Sequence, residues 1–102
     1  MLTLNELQSA HAIWHARNFP KLTGDQCLIG ALEELGELAH AHLKQQQHLR
    51  PDEAHSTNAK DPIGDVIIFL TGYCAARGFN LQEILETTWG KVKQRDYTKE
   101  QA

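Results

Sequence analysis

The stretch Leu32-Glu33-Glu34-Leu35-Gly36-Glu37 holds three carboxylates at a spacing that chemistry can use. At about 100° per residue, Glu33, Glu34 and Glu37 share one arc of a helix, while Leu28, Leu32, Leu35, Ala39 and Leu43 take the other side. Like charges at helical i,i+3 and i,i+4 spacing cost a few tenths of a kcal/mol per pair, and a divalent cation would relieve that repulsion. The plain alternative is a solvated acidic face, since Glu is a good helix former. Against it, Cys27, Gly30 and Ala41 lie along the same arc, where a solvated face would carry Lys, Gln or Arg, so a second helix is expected to come close.

The fourth carboxylate is Asp65, on the side of a later helix that also carries Gly72 and Ala76. If the two helices pack antiparallel, it faces Glu34 and Glu37, and carboxylates converging from two helices are a way to build a metal site. An all-oxygen donor set selects Mg²⁺, with Mn²⁺ as a substitute, over Zn²⁺. Mg²⁺ usually keeps waters and shares substrate phosphates, so phosphate chemistry follows. Lys91, Lys93 and Arg95 near the end of the chain could bind phosphate, or could simply complement a helix C-terminus.

Four helices are expected to position these groups. Thr3-x-x-Glu6 reads as a capping box for a helix to about Arg17, and Thr23-x-x-Gln26 opens a long one from about Asp25 to His48. Residues 49–60 are polar and aperiodic and read as a loop, a candidate lid. Asp61-Pro62 has the chemistry of an N-cap and first helical residue, so a third helix is expected from there to Arg77, with Gly78 as its left-handed stop. Asn80-x-x-Glu83 opens a fourth helix to about Tyr97, loosened near Gly90. No strand signal or repeat appears, and the expected fold is all-α: a four-helix bundle-like protomer with two long central helices.

With 102 residues the chain is a single domain spanning 1–102, small for a self-sufficient core. The third helix is apolar on more than one side, with Ile68, Phe69, Ala75 and Ala76 off its main stripe, which predicts a homo-oligomer interface. A net charge of −3 argues against a nucleic-acid partner. The run from Val66 to Ala76 is too short to span a bilayer, and no signal peptide is evident, so a cytoplasmic, membrane-free protein is expected. Cys27 and Cys74 lack metal-type spacing and read as buried, reduced thiols. His11 and His15 form an i,i+4 pair without a third ligand, which favours a surface or structural role over zinc, and Trp14 and Trp89 read as core residues by default.

Glu33-Glu34-Leu35-Gly36-Glu37 and Gly64-Asp65-Val66 resemble the two acidic elements of the MazG-like nucleoside triphosphate pyrophosphohydrolases, an all-α group. The resemblance extends to Trp14, Asn18-Phe19, Leu38-Ala39-His40-Ala41, Lys60-Asp61, Trp89 and Val92-Lys93-Gln94-Arg95-Asp96-Tyr97. It implies metal-binding carboxylates at Glu34, Glu37 and Asp65, with Glu33 as a further ligand or a base that orients water. Lys93 and Arg95, with Lys91 and Tyr97, would meet phosphate or base, and Asn18 and Trp14 would line the nucleotide pocket. One departure stands out: Pro62 occupies the position where the family carries an acidic residue, and the adjacent Asp61 either substitutes as a ligand or serves only as an N-cap. The implied reaction is Mg²⁺-dependent hydrolysis of an NTP or dNTP between the α- and β-phosphates, in a dimer or tetramer, as nucleotide-pool house-cleaning. The alternatives are a phosphoribosyl-ATP pyrophosphatase-like enzyme and a catalytically idle helical oligomer that binds nucleotide or protein.

Overall fold

The computed structural model describes residues 1–21, 23–47 and 55–98, leaving aside the side chains of 55–58. It is all-helical there: α1 (Leu4–Asn18), α2 (Gly24–Gln47), α3 (His55–Arg77) and α4 (Leu81–Val92). The helix starts follow the sequence chemistry. Thr3 and Glu6 complete a reciprocal capping box, and Thr23 and Gln26 do the same for α2, the Thr23 amide donating to Gln26 Oε1 at 2.8 Å. Asn80 caps α4 by accepting from the Glu83 amide at 2.9 Å. α3 stops where expected, with Gly78 at φ 71° and the Phe79 amide donating to the Cys74 carbonyl at 2.8 Å, a Schellman arrangement.

Two boundaries correct the sequence reading. α3 begins at His55, so Asp61 is not an N-cap, Pro62 lies inside the helix, and residues 55–60 are helical rather than part of a loop. The remainder of the expected lid, with the end of the second helix at His48, falls outside the described residues. An interior proline forfeits one backbone hydrogen bond and costs about 3 kcal/mol. Pro62 is buried, and that packing acts against the cost. α4 ends at Val92 instead of Tyr97: beyond Gly90 the backbone tightens, with the Gln94 and Arg95 amides donating to carbonyls three residues back.

The core of the protomer is the antiparallel α2–α3 pair. An added Cβ at Gly24 would sit 2.7 Å from the Ala76 Cβ, one at Gly72 would sit 2.9 Å from Cys27 Sγ, and one at Gly30 would sit 2.7 Å from the Phe69 ring. Each step of three along α2 thus meets a step of three or four back along α3. The face that closes this pair is made of small residues; Cys27, Ala31 and Ala41 are buried on α2. The leucine stripe of α2 is left in the open: Leu32 is 69% exposed, and Leu28, Leu35 and Leu43 are also exposed.

α1 packs on α3, and α4 rests on α1 and α3 without approaching the α2 backbone. The joint between α1 and α3 is polar at its centre. Thr71, fully buried, donates its hydroxyl to the Ile68 carbonyl at 2.6 Å, so His11 Nδ1–H must be the donor across its 3.1 Å contact with the Thr71 oxygen. Burial, then the neighbouring His15, pushes the His11 pKa down, which agrees with a neutral ring. His11 also stacks on His15 and Trp14, so the pair is structural, while Trp14 is half exposed and Trp89 is 61% exposed, against the core placement expected for both. Both cysteines are free and buried, and burial raises both thiol pKa values. Among the described residues no helix is long and apolar enough to cross a membrane.

If close approach of α2 and α3 sets the packing, Gly72→Ala is expected to destabilise by about 1–3 kcal/mol despite alanine's better helix propensity. Denaturant unfolding of the two proteins measures it, and an unchanged or higher midpoint would contradict the packing argument.

Candidate functional site

The acidic cluster sits where the α2–α3 ladder continues. From the level of Gly30 and Phe69, one further turn along α2 reaches Glu34, and one turn back along α3 reaches Asp65. The ligating oxygens of Glu33, Glu34 and Glu37 lie within 4.8 Å of one another; Glu34 is half-buried, and Glu33 and Glu37 are exposed. Asp65 is close enough to act electrostatically on Glu34. The expectation that another helix comes close along the acidic arc is met by α3 at Cys27 and Gly30, and Ala41 is buried.

The Glu34 carboxyl has its pKa raised, first by desolvation and then by the negative charges of Glu37, Asp65 and Glu33, with a hydrogen bond to Glu37 adding to the effect. Among the described residues, the charges that shift it are all negative. The cluster is therefore a place where added positive charge is favourable. Hard oxygen donors, two of them exposed so that waters and phosphate oxygens have room, fit a Mg²⁺-like ion better than a soft one. Asp61 is exposed one turn before Asp65 on α3 and level with Leu38 in the register, on the rim of the same face.

The other expected site residues are placed less closely. Trp14 lines a small apolar cleft with Leu7, Ala10, His11 and Ile68, and Ile68 is one helical turn along α3 from Asp65. Asn18 commits its side-chain amide to the Trp14 carbonyl at 2.9 Å. Lys91 lies in the last turn of α4 and Lys93 caps it, while Arg95 and Tyr97 follow in exposed turns. α4 itself packs on α1 and α3 and does not approach α2. The sequence reading missed the His11–Thr71 joint; its signal was Thr71, the one aliphatic hydroxyl inside the near-apolar run of α3.

No protein-family model, curated protein or solved structure matches the chain.

Since the folded-state pKa of Glu34 lies above its unfolded value, its ionisation works against folding: stability present below about pH 4.5 is lost as pH rises through the folded pKa. Glu34→Gln should therefore be more stable than the parent at pH 7 without divalent ions, and Asp65→Asn should lower the Glu34 pKa. Thermal unfolding and carboxyl NMR titration read the two effects. A less stable Glu34→Gln, with an unmoved Glu34 titration in Asp65→Asn, would show that the charges do not interact as described.

Proposed function

We propose that the chain is a Mg²⁺-dependent nucleoside triphosphate pyrophosphohydrolase, converting an NTP or dNTP and water to a nucleoside monophosphate and pyrophosphate. The observation that carries the reading is the cluster of Glu33, Glu34 and Glu37 on α2, with Asp65 of α3 near enough to add its negative charge to those acting on Glu34. The resemblance of Glu33-Glu34-Leu35-Gly36-Glu37 and Gly64-Asp65-Val66 to the MazG-like acidic elements supplies the substrate class and the bond cleaved.

In this reading Glu34, Glu37 and Asp65 hold the metal, and Asp61 contributes directly or through a water. Mg²⁺ bound there supplies neutralisation of phosphate oxygens and a water of lowered pKa. Glu33, exposed beside the cluster, orients the attacking water and accepts its proton. The water oxygen bonds to one phosphorus of the α–β anhydride as the bridging oxygen leaves with the other. Trp14, half exposed one turn of α3 away, offers a ring face for a base. By the same resemblance Lys93 and Arg95, with Lys91 and Tyr97, would meet phosphate or base.

Product analysis over a panel of NTPs and dNTPs, with Mg²⁺, Mn²⁺ or EDTA, tests the reading. Monophosphate plus pyrophosphate should appear only with metal, and Glu37→Gln should lower kcat by about 100-fold or more while the far-UV circular dichroism is unchanged. Diphosphate plus phosphate would contradict it. Nucleotide binding without turnover would favour an idle binding module, for which the buried Pro62 in place of an acidic residue is the structural argument.

A further inference from the structure

α1 is fastened to the rest of the fold by polar groups. His11 is its one buried residue, whereas Ile13 is 71% exposed and Trp14 half exposed. Towards α4 the Gln8 amide donates to the Phe79 carbonyl at 2.9 Å while its oxygen accepts from the Leu81 amide at 3.0 Å, and the Asn80 amide donates to Asn5 at 2.9 Å. None of those groups titrates. His11 does, and it stands at the centre of the joint with α3: its Nδ1–H donates to the fully buried Thr71 at 3.1 Å, and its Cε1 and Cys27 Sγ each lie 2.9 Å from where a Cβ on Gly72 would be. α1 is thus docked through an imidazole.

The surroundings of that ring offer it no counter-ion. Two hollows reach it, a cavity shared with His15, Phe19 and Cys27 and the cleft shared with Trp14 and Ile68, and no Asp, Glu, Lys or Arg lines either. The titratable groups that face it are His15 on its own helix, stacked at 5.4 Å, and the Cys27 thiol of α2, kept neutral by burial. Asp25 at the start of α2 is exposed. On α3, Lys60, Asp61 and Asp65 are exposed, Cys74 is a buried thiol, and Arg77 lies over the Tyr73 and Phe79 rings, 6.0 and 5.5 Å from their centres. On α4, Glu83, Glu86 and Lys91 are exposed. Among the described residues, the one charge that shifts the His11 ring is that of His15, and it has the same sign as an imidazolium.

We propose that α1 is a proton-released helix: protonation of His11 leaves a desolvated, unpaired imidazolium in the joint, and α1 lets go of α3 while the α2–α3 pair stays closed. The pair has its own fastening, since the contacts of Gly24 with Ala76, Cys27 with Gly72 and Gly30 with Phe69 need no residue of α1. Once released, a helix of 15 residues is marginal in water and melts. Burial and His15 hold the ring's pKa below the ordinary value of about 6.5, so docking is strongest above that pH and weakens as the pH falls from there towards the folded pKa. Release also dismantles the cleft beside Ile68, because Leu7, Ala10, His11 and Trp14 leave with α1. In the proposed reading, acid thereby withdraws the ring face offered to a base and leaves the carboxylates in place; the release itself does not depend on that reading.

Amide NMR spectra of the whole chain, recorded in steps from about pH 7.5 to about pH 5, test it across the window in which histidine titrates. The α1 amides should move to random-coil positions as the pH falls, while those of α2 and α3 keep their dispersion, and the far-UV circular dichroism should lose the share of helix that α1 represents. His11→Asn keeps a donor for Thr71 and cannot titrate, so its α1 amides should stay at the docked positions throughout. If His11→Asn is undocked already at neutral pH, His15→Gln decides: with the like charge removed, the midpoint of release should shift to lower pH. α1 amides that do not move in the parent overturn the proposal, as does a transition in which all four helices melt together. So does an unchanged transition in His11→Asn, or a midpoint in His15→Gln that stays or rises.

Discussion

The close approach of α2 and α3 is the constraint on which the rest of the structure depends. Gly24 against Ala76, Cys27 against Gly72 and Gly30 against Phe69 leave no room for one more carbon, so the helices are held in a single register. That register carries Asp65 to the level of Glu34. A slip of one residue would rotate a contact position by about 100° and move the carboxylates apart. The electrostatic cost visible in the raised Glu34 pKa is thus held in place by apolar packing a turn or two away.

The same constraint explains the odd distribution of apolar residues. Backbones come close only where side chains are small, so the α2 side of the pair is built largely from Gly, Ala and Cys, with the Phe69 ring of α3 lying over Gly30. The larger Leu and Ile side chains are displaced to the outer faces. The fold thereby separates two tasks: small residues fix the geometry of the carboxylates, and large residues provide apolar area that is left exposed among the described residues.

Local signals in the sequence were readable because they act within a few residues. The Thr3/Glu6 and Thr23/Gln26 boxes, the Asn80 cap and the Gly78 stop all formed as their side-chain chemistry dictates. The acidic arc and the need for a close helix beside Cys27, Gly30 and Ala41 were readable from the wheel. Signals with two physical outcomes were not. Asp61-Pro62 suits a helix start, yet burial of the ring allows the helix to run on through it. Periodicity identified the Leu28 to Leu43 stripe as apolar, but it did not show that the stripe is left exposed. Trp14 and Trp89 were misplaced for a related reason, since an apolar face is not necessarily covered within one protomer.

In the proposed reading, packing between α2 and α3 makes one cation site out of carboxylates from both helices. Titration of the protein with Mn²⁺, followed by electron paramagnetic resonance of the free ion, tests that directly and needs no substrate. Binding should be saturable and weakened both by Glu34→Gln on α2 and by Asp65→Asn on α3, with Mg²⁺ competing for the ion. Absence of saturable binding, or binding that survives both substitutions unchanged, would contradict it.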